Sequence, residues 1–260
     1  MFSKLLDLFR ANKAAHRAII VPFPALEDVA SVSAPPPGEI VAFFTPNSFY
    51  EQEAARMAAS AFRLGLSVAT TAVSSAGSWV RNAALKPTFL LKERQAKRGR
   101  LLYVDVDAVF HRNPWPALAS YDCDIAVYRE NGRLISATIL FNDTPAALRL
   151  LEAWKAECDR DPDIWDQVVL QRILDEDQAK AEPQFRVVAL PASFCWIFDR
   201  IGNAKPDAIY VEQLQASRQA KVEKRFGFER SKLRRRRRRI ADIERILSES
   251  DSRSASSASR

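Results

Sequence analysis

Short apolar runs alternate along the chain with segments whose apolar residues recur at helical spacing. The runs at 39–44, 67–73 and 101–106 are rich in β-branched and aromatic residues, and they predict three buried strands. Between them, apolar residues recur every three or four positions over 54–62, and 79–97 has helical composition, with Pro87 expected to kink or divide the helix. This strand–helix order predicts a parallel sheet with right-handed crossovers.

The second half of the chain predicts a less regular order. Short strands are expected at 124–128, 134–142 and 186–190. Thr144 and Pro145 predict the start of one helix, and Asp163 is expected to cap another. We therefore expect the α/β class, with a Rossmann-type mixed sheet that is mostly parallel and flanked by helices.

Three regions are expected along the chain. Residues 1–38 read as an amphipathic helix followed by a Pro-rich linker, and 39–218 as one catalytic domain. Residues 219–260 read as a basic C-terminal helix or tail that is partly disordered.

Composition excludes several classes of protein. Of the 260 residues, 47% are hydrophobic and 27% charged, which is typical of a globular chain. The apolar runs are too short to cross a membrane. Three scattered cysteines give neither zinc nor disulfide spacing, so a reducing, cytoplasmic compartment is expected. The glycine-rich phosphate-loop motifs are missing from the sequence, and only two histidines are present, so carboxylates are expected to do the chemistry.

Two aspartates form the most informative motif. Asp105 and Asp107 end the apolar run at 101–106, and alternate residues of an extended chain point the same way. Ligands bind at the carboxyl ends of strands in open α/β sheets. Two adjacent carboxylates favour a divalent cation, Mn²⁺ or Mg²⁺, whose coordination phosphate oxygens complete. The alternative is that the aspartates merely end a strand and start a turn.

Several short pieces, in their order and spacing over 39–218, resemble the nucleotide-diphospho-sugar transferases, which are glycosyltransferases of the GT-A fold with a DxD motif. The pieces are Thr45 after the first strand, Gly77-Ser78-Trp79 with Asn82 and Lys86-Pro87, Asp105-Val106-Asp107, Asn131-Gly132-Arg133, Ser136-Ala137-Thr138 and Asp166-Gln167. The resemblance implies a metal-dependent enzyme that moves a hexosyl or related sugar. Its donor would be a nucleotide sugar, a UDP-sugar by preference, and its acceptor is not specified.

The resemblance also implies roles for the residues that bind the nucleotide and the metal. Thr45 would lie near the base or ribose, and Asn82 and Lys86 under the nucleotide or its phosphates. Asp105 would bind the ribose and the metal–diphosphate, with Asp107 as a metal ligand.

The remaining residues would face the sugar. Ser136 and Ala137 would form the wall between donor sugar and acceptor, with Gln167 on the donor side. Asp166 would be the catalytic residue facing the sugar or the acceptor hydroxyl.

Each role has a plainer alternative. Asp166 or Gln167 could complete a helix cap begun by Asp163, and Lys86 could be a solvated helix residue. Family members often take a further metal ligand, commonly histidine, from the C-terminal part of the domain. Glu212 and Gln213 occupy that zone here.

Two other functions compete with sugar transfer. In a haloacid-dehalogenase-like phosphatase the first aspartate of the motif would be a nucleophile. Against this, Ala-Val rather than Gly-Thr follows Asp107, and the motif follows the third strand instead of the first. The other alternative is a catalytically impaired sugar-transferase fold that binds anionic surfaces.

The positive charge of the chain is local. Residues 218–240 carry a net charge of +10, which includes six consecutive arginines at 234–239, and the remainder is slightly acidic. Six arginines on a helix would surround its axis, either as a solvated tail or as a contact to anionic lipid. Aromatic residues do not interleave them, so nucleic acid is an unlikely partner. A cytoplasmic protein peripheral to the inner face of a membrane is the expected localisation.

Overall fold

In the computed structural model, residues 20–25, 37–200, 206–221 and 229–257 are described. The amphipathic helix expected over 1–20 and most of the Pro-rich linker lie outside these ranges.

The described residues form two sheets. Their strands are β1 (Gly38–Phe44), β2 (Val68–Ala72), β3 (Arg100–Val104), β4 (Ala108–Phe110), β5 (Ile125–Glu130), β6 (Arg133–Phe141), β7 (Val187–Leu190), β8 (Trp196–Ile197) and β9 (Val211–Gln213). The main sheet has the order β2-β1-β3-β6-β5-β7, and only β6 runs against its neighbours. The expected mixed, mostly parallel sheet is confirmed.

Helices cover both faces of the main sheet. They are α1 (Tyr50–Phe62), α2 (Trp79–Ala84), α3 (Lys86–Ala96), α4 (Trp115–Leu118), α5 (Pro145–Arg160), α6 (Asp166–Gln178), α7 (Ser217–Lys221) and α8 (Glu229–Ser257). Alternate residues of β3 point to opposite faces: Leu102 joins the core beneath α1, and Leu101 joins the core beneath α3, α5 and α6.

The helix boundaries test three local predictions. Thr144 caps α5 by accepting a hydrogen bond from the Ala147 amide at 3.1 Å, as expected. The segment 79–97 divides at Leu85, with Pro87 in the first turn of α3. The cap predicted at Asp163 is wrong: α6 begins at Asp166 after Trp165 and has no side-chain cap, because Asp163 pairs instead with Arg81.

A second, small sheet lies beside the main one. Strand β9 pairs with β4 and β8 in the order β4-β9-β8. Because β4 begins directly after Asp107, this pairing brings the segment from 211 onward against the aspartate motif. None of the described helices combines the length and apolar character that crossing a bilayer requires.

Helix α8 packs on the body of the protein. Leu233, Arg236, Arg239, Ile243 and Leu247 are buried at three- and four-residue intervals. Ile243 and Leu247 share a core cluster with residues of β4 and the segment after β9. Arg236 and Arg239 point inward and pair with the buried carboxylates of Glu53 and Glu212 on the body.

Candidate active site

A cavity of about 300 Å³ opens at the carboxyl ends of β1 and β3. This is the edge at which open α/β sheets bind ligands. All nine predicted site residues line it: Thr45, Asn82, Lys86, Asp105, Asp107, Ser136, Ala137, Asp166 and Gln167. The structure therefore brings together residues that are spread over more than 120 positions of sequence.

Lys86 lies at the centre of a buried polar cluster. Its Nζ is 3.1 Å from Oδ1 of Asp105 and 3.2 Å from Oδ2 of Asp166. It also donates to the carbonyl and hydroxyl oxygens of Ser136, at 3.1 and 3.0 Å. Burial lowers the pKa of Lys86, but the two carboxylates outweigh it and leave the pKa above its ordinary value. The alternative of a solvated helix lysine is wrong.

Asp166 is fully buried and points into this cluster. Its Oδ2 accepts from the Ser136 hydroxyl at 3.2 Å, whereas its Oδ1 has no hydrogen-bond partner among the residues that the structure describes. The Trp154 indole donates to the Asp166 carbonyl at 2.9 Å and fixes the start of α6. Burial raises the pKa of Asp166, against the attraction of Lys86.

Asp105 and Asp107 have different surroundings. Oδ1 of Asp105 accepts a hydrogen bond from the Tyr103 hydroxyl at 2.6 Å. Oδ2 of Asp107 accepts one from the Ala216 amide at 2.5 Å, and the backbone carbonyl of Asp107 accepts from the Leu214 amide at 2.9 Å. Burial, and then the charge of Asp105, raise the pKa of Asp107 to about 6. A cation between these carboxylates would relieve that repulsion.

The donor set fits a cation whose coordination the substrate completes. Among the described residues no cluster of three or more His, Cys, Asp or Glu could hold a metal alone. Glu212 does not supply a further ligand, because His111 and Arg239 engage its carboxylate in the interior. Two carboxylates plus diphosphate oxygens remain, which is a common arrangement for Mg²⁺.

Some predicted site residues also have structural tasks. The side-chain oxygen Oδ1 of Asn82 accepts from the Ala76 amide at 2.6 Å and holds the loop before α2. The side-chain oxygen Oε1 of Gln167 accepts from the Ser136 backbone amide at 3.3 Å. The Ala137 carbonyl accepts from the Asp105 amide at 2.8 Å. The Thr45 hydroxyl lies 3.2 Å from that of Ser48.

Sequence reasoning missed several residues of the cavity wall, among them Tyr50, Trp165 and Arg200. Trp165 stacks obliquely on Trp79, with ring centroids 5.6 Å apart. Its position directly before Asp166 was a usable signal. Arg200 follows the two-residue strand β8, which carries no sequence signal of its own.

The comparisons with known proteins identify the family. The family model described as nucleotide-diphospho-sugar transferase matches residues 90–224, more than half of the chain. The matched stretch contains the aspartate motif and Asp166. The chain therefore belongs to the nucleotide-diphospho-sugar transferase family and is a glycosyltransferase. A search of curated proteins finds no match to it.

The solved structures that match the chain include glycosyltransferases of low sequence identity. A glycosyltransferase involved in the glycosylation of the major capsid of PBCV-1 is 9% identical over 68% of this chain and 92% of its own, with a TM-score of 0.48. The apo form of the glycosyltransferase GlyE of Streptococcus pneumoniae is 13% identical over 84% and 64%, with a TM-score of 0.49. Mouse xyloside xylosyltransferase 1 is 13% identical over 68% and 97%, with a TM-score of 0.44.

Proposed function

We propose that the protein transfers a hexosyl or related sugar from a UDP-sugar to an acceptor hydroxyl, with Mn²⁺ or Mg²⁺ as cofactor. One observation carries the proposal. A single cavity joins the carboxylate pair Asp105 and Asp107 to the buried cluster of Lys86, Ser136 and Asp166. The first group suits a metal-bound diphosphate, and the second suits the hydroxyls of a sugar.

The carboxylate pair would hold the diphosphate end of the donor. A bound cation supplies positive charge that stabilises the leaving diphosphate. Asp107 would be its main ligand, because the Ala216 amide engages Oδ2 and none of the described residues hydrogen-bonds Oδ1 of Asp107. Lys86 pairs with Asp105 and would add positive charge beside the phosphates.

Asp166 would face the reacting sugar. Its Oδ1 is a buried acceptor without a partner in the described part of the chain, and such atoms are rare unless a ligand or water satisfies them. A hydroxyl of the donor sugar or of the acceptor would donate to it. Where that hydroxyl is the acceptor's, the carboxylate would take its proton as general base.

The remaining wall would select the donor. Thr45 and Asn82 would contact the nucleoside. Ser136 and Ala137, with Gln167 holding the backbone of β6, would border the sugar.

Calorimetry of UDP binding tests the proposal. The wild type should bind UDP more tightly with Mn²⁺ than with EDTA, and Asp107→Asn should remove that gain because it removes the charge that holds the cation. Asp163→Asn, an exposed aspartate that bonds Arg81 outside the cluster, is the matched control. Equal UDP affinity of wild type and Asp107→Asn in Mn²⁺ would contradict the metal assignment.

We also propose that the exposed arginines of α8 attach the enzyme to an anionic membrane surface from the cytoplasmic side. Arg234, Arg237 and Arg238 point to solvent on the face of α8 opposite the body. Clustered basic residues add attraction to anionic lipid for each charge near the surface.

A further inference from the structure

Helix α8 lies outside the family-matched stretch, yet one of its arginines reaches the segment that binds Asp107. Arg236 is 1% exposed. Its Nε donates to the Leu214 carbonyl at 2.9 Å, and its Nη1 donates to Oε1 of Gln219 at 3.1 Å. Its Nη2 lies 2.6 Å from Oε1 of Glu53 on α1.

Arg236 bonds the segment 214–216, and the same segment donates hydrogen bonds to Asp107. The Leu214 amide donates to the Asp107 carbonyl, and the Ala216 amide donates to the Asp107 carboxylate. Between them Gln215 adopts a left-handed backbone conformation, with φ of +58°. Such a conformation persists only where surrounding contacts enforce it. Leu214 is therefore bonded on one side to Asp107 and on the other to Arg236.

We propose that Arg236 is a positioning residue for the metal ligand Asp107. Its guanidinium fixes the Leu214 carbonyl on the side away from the cavity. The Leu214 amide and the following turn to Ala216 then set the position of the Asp107 carboxylate in the cavity. The inference rests on the proposed metal-dependent binding of a nucleotide diphosphate. It makes the C-terminal helix part of the active site instead of an appendage to the catalytic domain.

The arrangement explains why Arg rather than Lys stands at this position. Three oxygen atoms surround Arg236 in different directions. It donates hydrogen bonds to the Leu214 carbonyl after β9 and to Gln219 on α7, and it forms an ion pair with Glu53 on α1. A guanidinium presents a rigid fork of five donors, whereas an ammonium is a compact point charge. Lysine could keep the pairing with Glu53 but would not also hold the Leu214 carbonyl.

Calorimetry of UDP with Mn²⁺ and with EDTA, on four full-length proteins, tests this assignment. They are the wild type, Arg236→Gln, Arg236→Lys and Arg237→Gln. Arg237 is the matched control, because it is the exposed neighbour on the same helix and receives the same substitution. We expect Arg236→Gln to reduce the Mn²⁺-dependent gain in UDP affinity about tenfold and Arg236→Lys about threefold, with Arg237→Gln unchanged.

Two further readouts separate positioning from general damage. UDP affinity in EDTA should stay within about twofold of the wild type in every variant. The electron paramagnetic resonance spectrum of bound Mn²⁺ should differ from that of the wild type in Arg236→Gln but not in Arg237→Gln. Should Arg236→Gln fail to fold, Arg236→Lys is compared with the wild type in its place, because it keeps the charge opposite Glu53.

The outcomes are distinct. If Arg236→Gln kept the full Mn²⁺-dependent gain in UDP affinity, or lost UDP affinity equally in Mn²⁺ and in EDTA, the positioning role would be overturned and the proposed function would remain intact. Absence of any Mn²⁺ gain in the wild type would refute the metal-dependent function itself, and the positioning role with it.

Discussion

Arg239 and Glu212 form a two-pronged ion pair between α8 and β9. The Nε atom of Arg239 lies 2.8 Å from Oε1 of Glu212, and its Nη2 lies 2.7 Å from Oε2. Both side chains are buried, and His111 bonds the same carboxylate through Nε2. Burial alone would raise the pKa of Glu212, but His111 and Arg239 hold it below its ordinary value.

This ion pair predicts an acid-dependent stability. Glu212 has a lower pKa in the folded than in the unfolded chain, where it is about 4.5. Its contribution is therefore complete above about pH 4.5 and is lost as the pH falls through the folded-state pKa. Glu212→Gln leaves Arg239 buried without its counter-ion and should lower the free energy of unfolding by about 3 kcal/mol at pH 7. The difference from wild type should shrink at pH 3.

Urea unfolding at pH 7, 5 and 3 measures this difference. Glu249→Gln on α8 is the control, because the Glu249 side chain is 55% exposed and pairs with the exposed Arg245, so its loss should change stability little. Parallel pH profiles for wild type and Glu212→Gln would contradict the assigned role.

Asp166→Asn should affect turnover more than folding. The amide keeps the shape of the side chain but cannot accept a proton, so release of UDP from UDP-hexoses should fall at least a hundredfold. Melting temperature and rate are to be measured on the same sample, beside Asp163→Asn. A rate near that of wild type would remove Asp166 from the active site.

Lys86→Met tests the electrostatics of the buried cluster. Without the ammonium, Asp105 and the fully buried Asp166 lose their shared counter-ion, so the free energy of unfolding should fall by about 3 kcal/mol. Adding Asp166→Asn removes one of the unpaired charges and should recover part of the loss. A double-mutant cycle by urea unfolding measures this coupling.

The control for this cycle is Lys92→Met, an exposed lysine on the same helix. It should leave stability within about 0.5 kcal/mol of the wild type. Strictly additive effects of Lys86→Met and Asp166→Asn would show that the two side chains are not coupled.

The features that the sequence predicted depend on residues close together along the chain. The buried runs before Thr45 and Asp105 are long enough to be recognised as strands, and chain order places their carboxyl ends at one edge of the sheet. Thr144 and Pro87 mark helix boundaries through their own backbone chemistry. The nine candidate residues that line the cavity could be selected because they follow such strands or match the family's short motifs.

What the sequence did not predict depends on distant partners. Strands β4 and β9 have three residues each and pair across about a hundred positions, so neither shows a pattern by itself. The run at 234–239 shows six identical residues. Partners far away in sequence, among them Glu53 and Glu212, distinguish the buried Arg236 and Arg239 from the exposed arginines between them.

That distinction determines how membrane attachment has to be tested. Removing the chain after 229 would delete the buried residues of α8 together with the exposed ones, so loss of binding would be uninformative. The triple substitution Arg234→Gln, Arg237→Gln and Arg238→Gln changes only side chains that point to solvent. It should leave UDP binding as in the wild type and abolish co-sedimentation with phosphatidylserine-containing vesicles.

Salt and a charge-matched control complete this last test. Wild-type vesicle binding should weaken as added salt shortens the Debye length from about 10 Å at 0.1 M to about 3 Å at 1 M. The triple substitution of Arg98, Arg160 and Arg172 to Gln removes equal charge from side chains that are 93%, 70% and 47% exposed, and it should still bind vesicles. Equal loss in both triple variants would show that net charge alone drives attachment. Undiminished binding after loss of the α8 arginines would refute a membrane role for this helix.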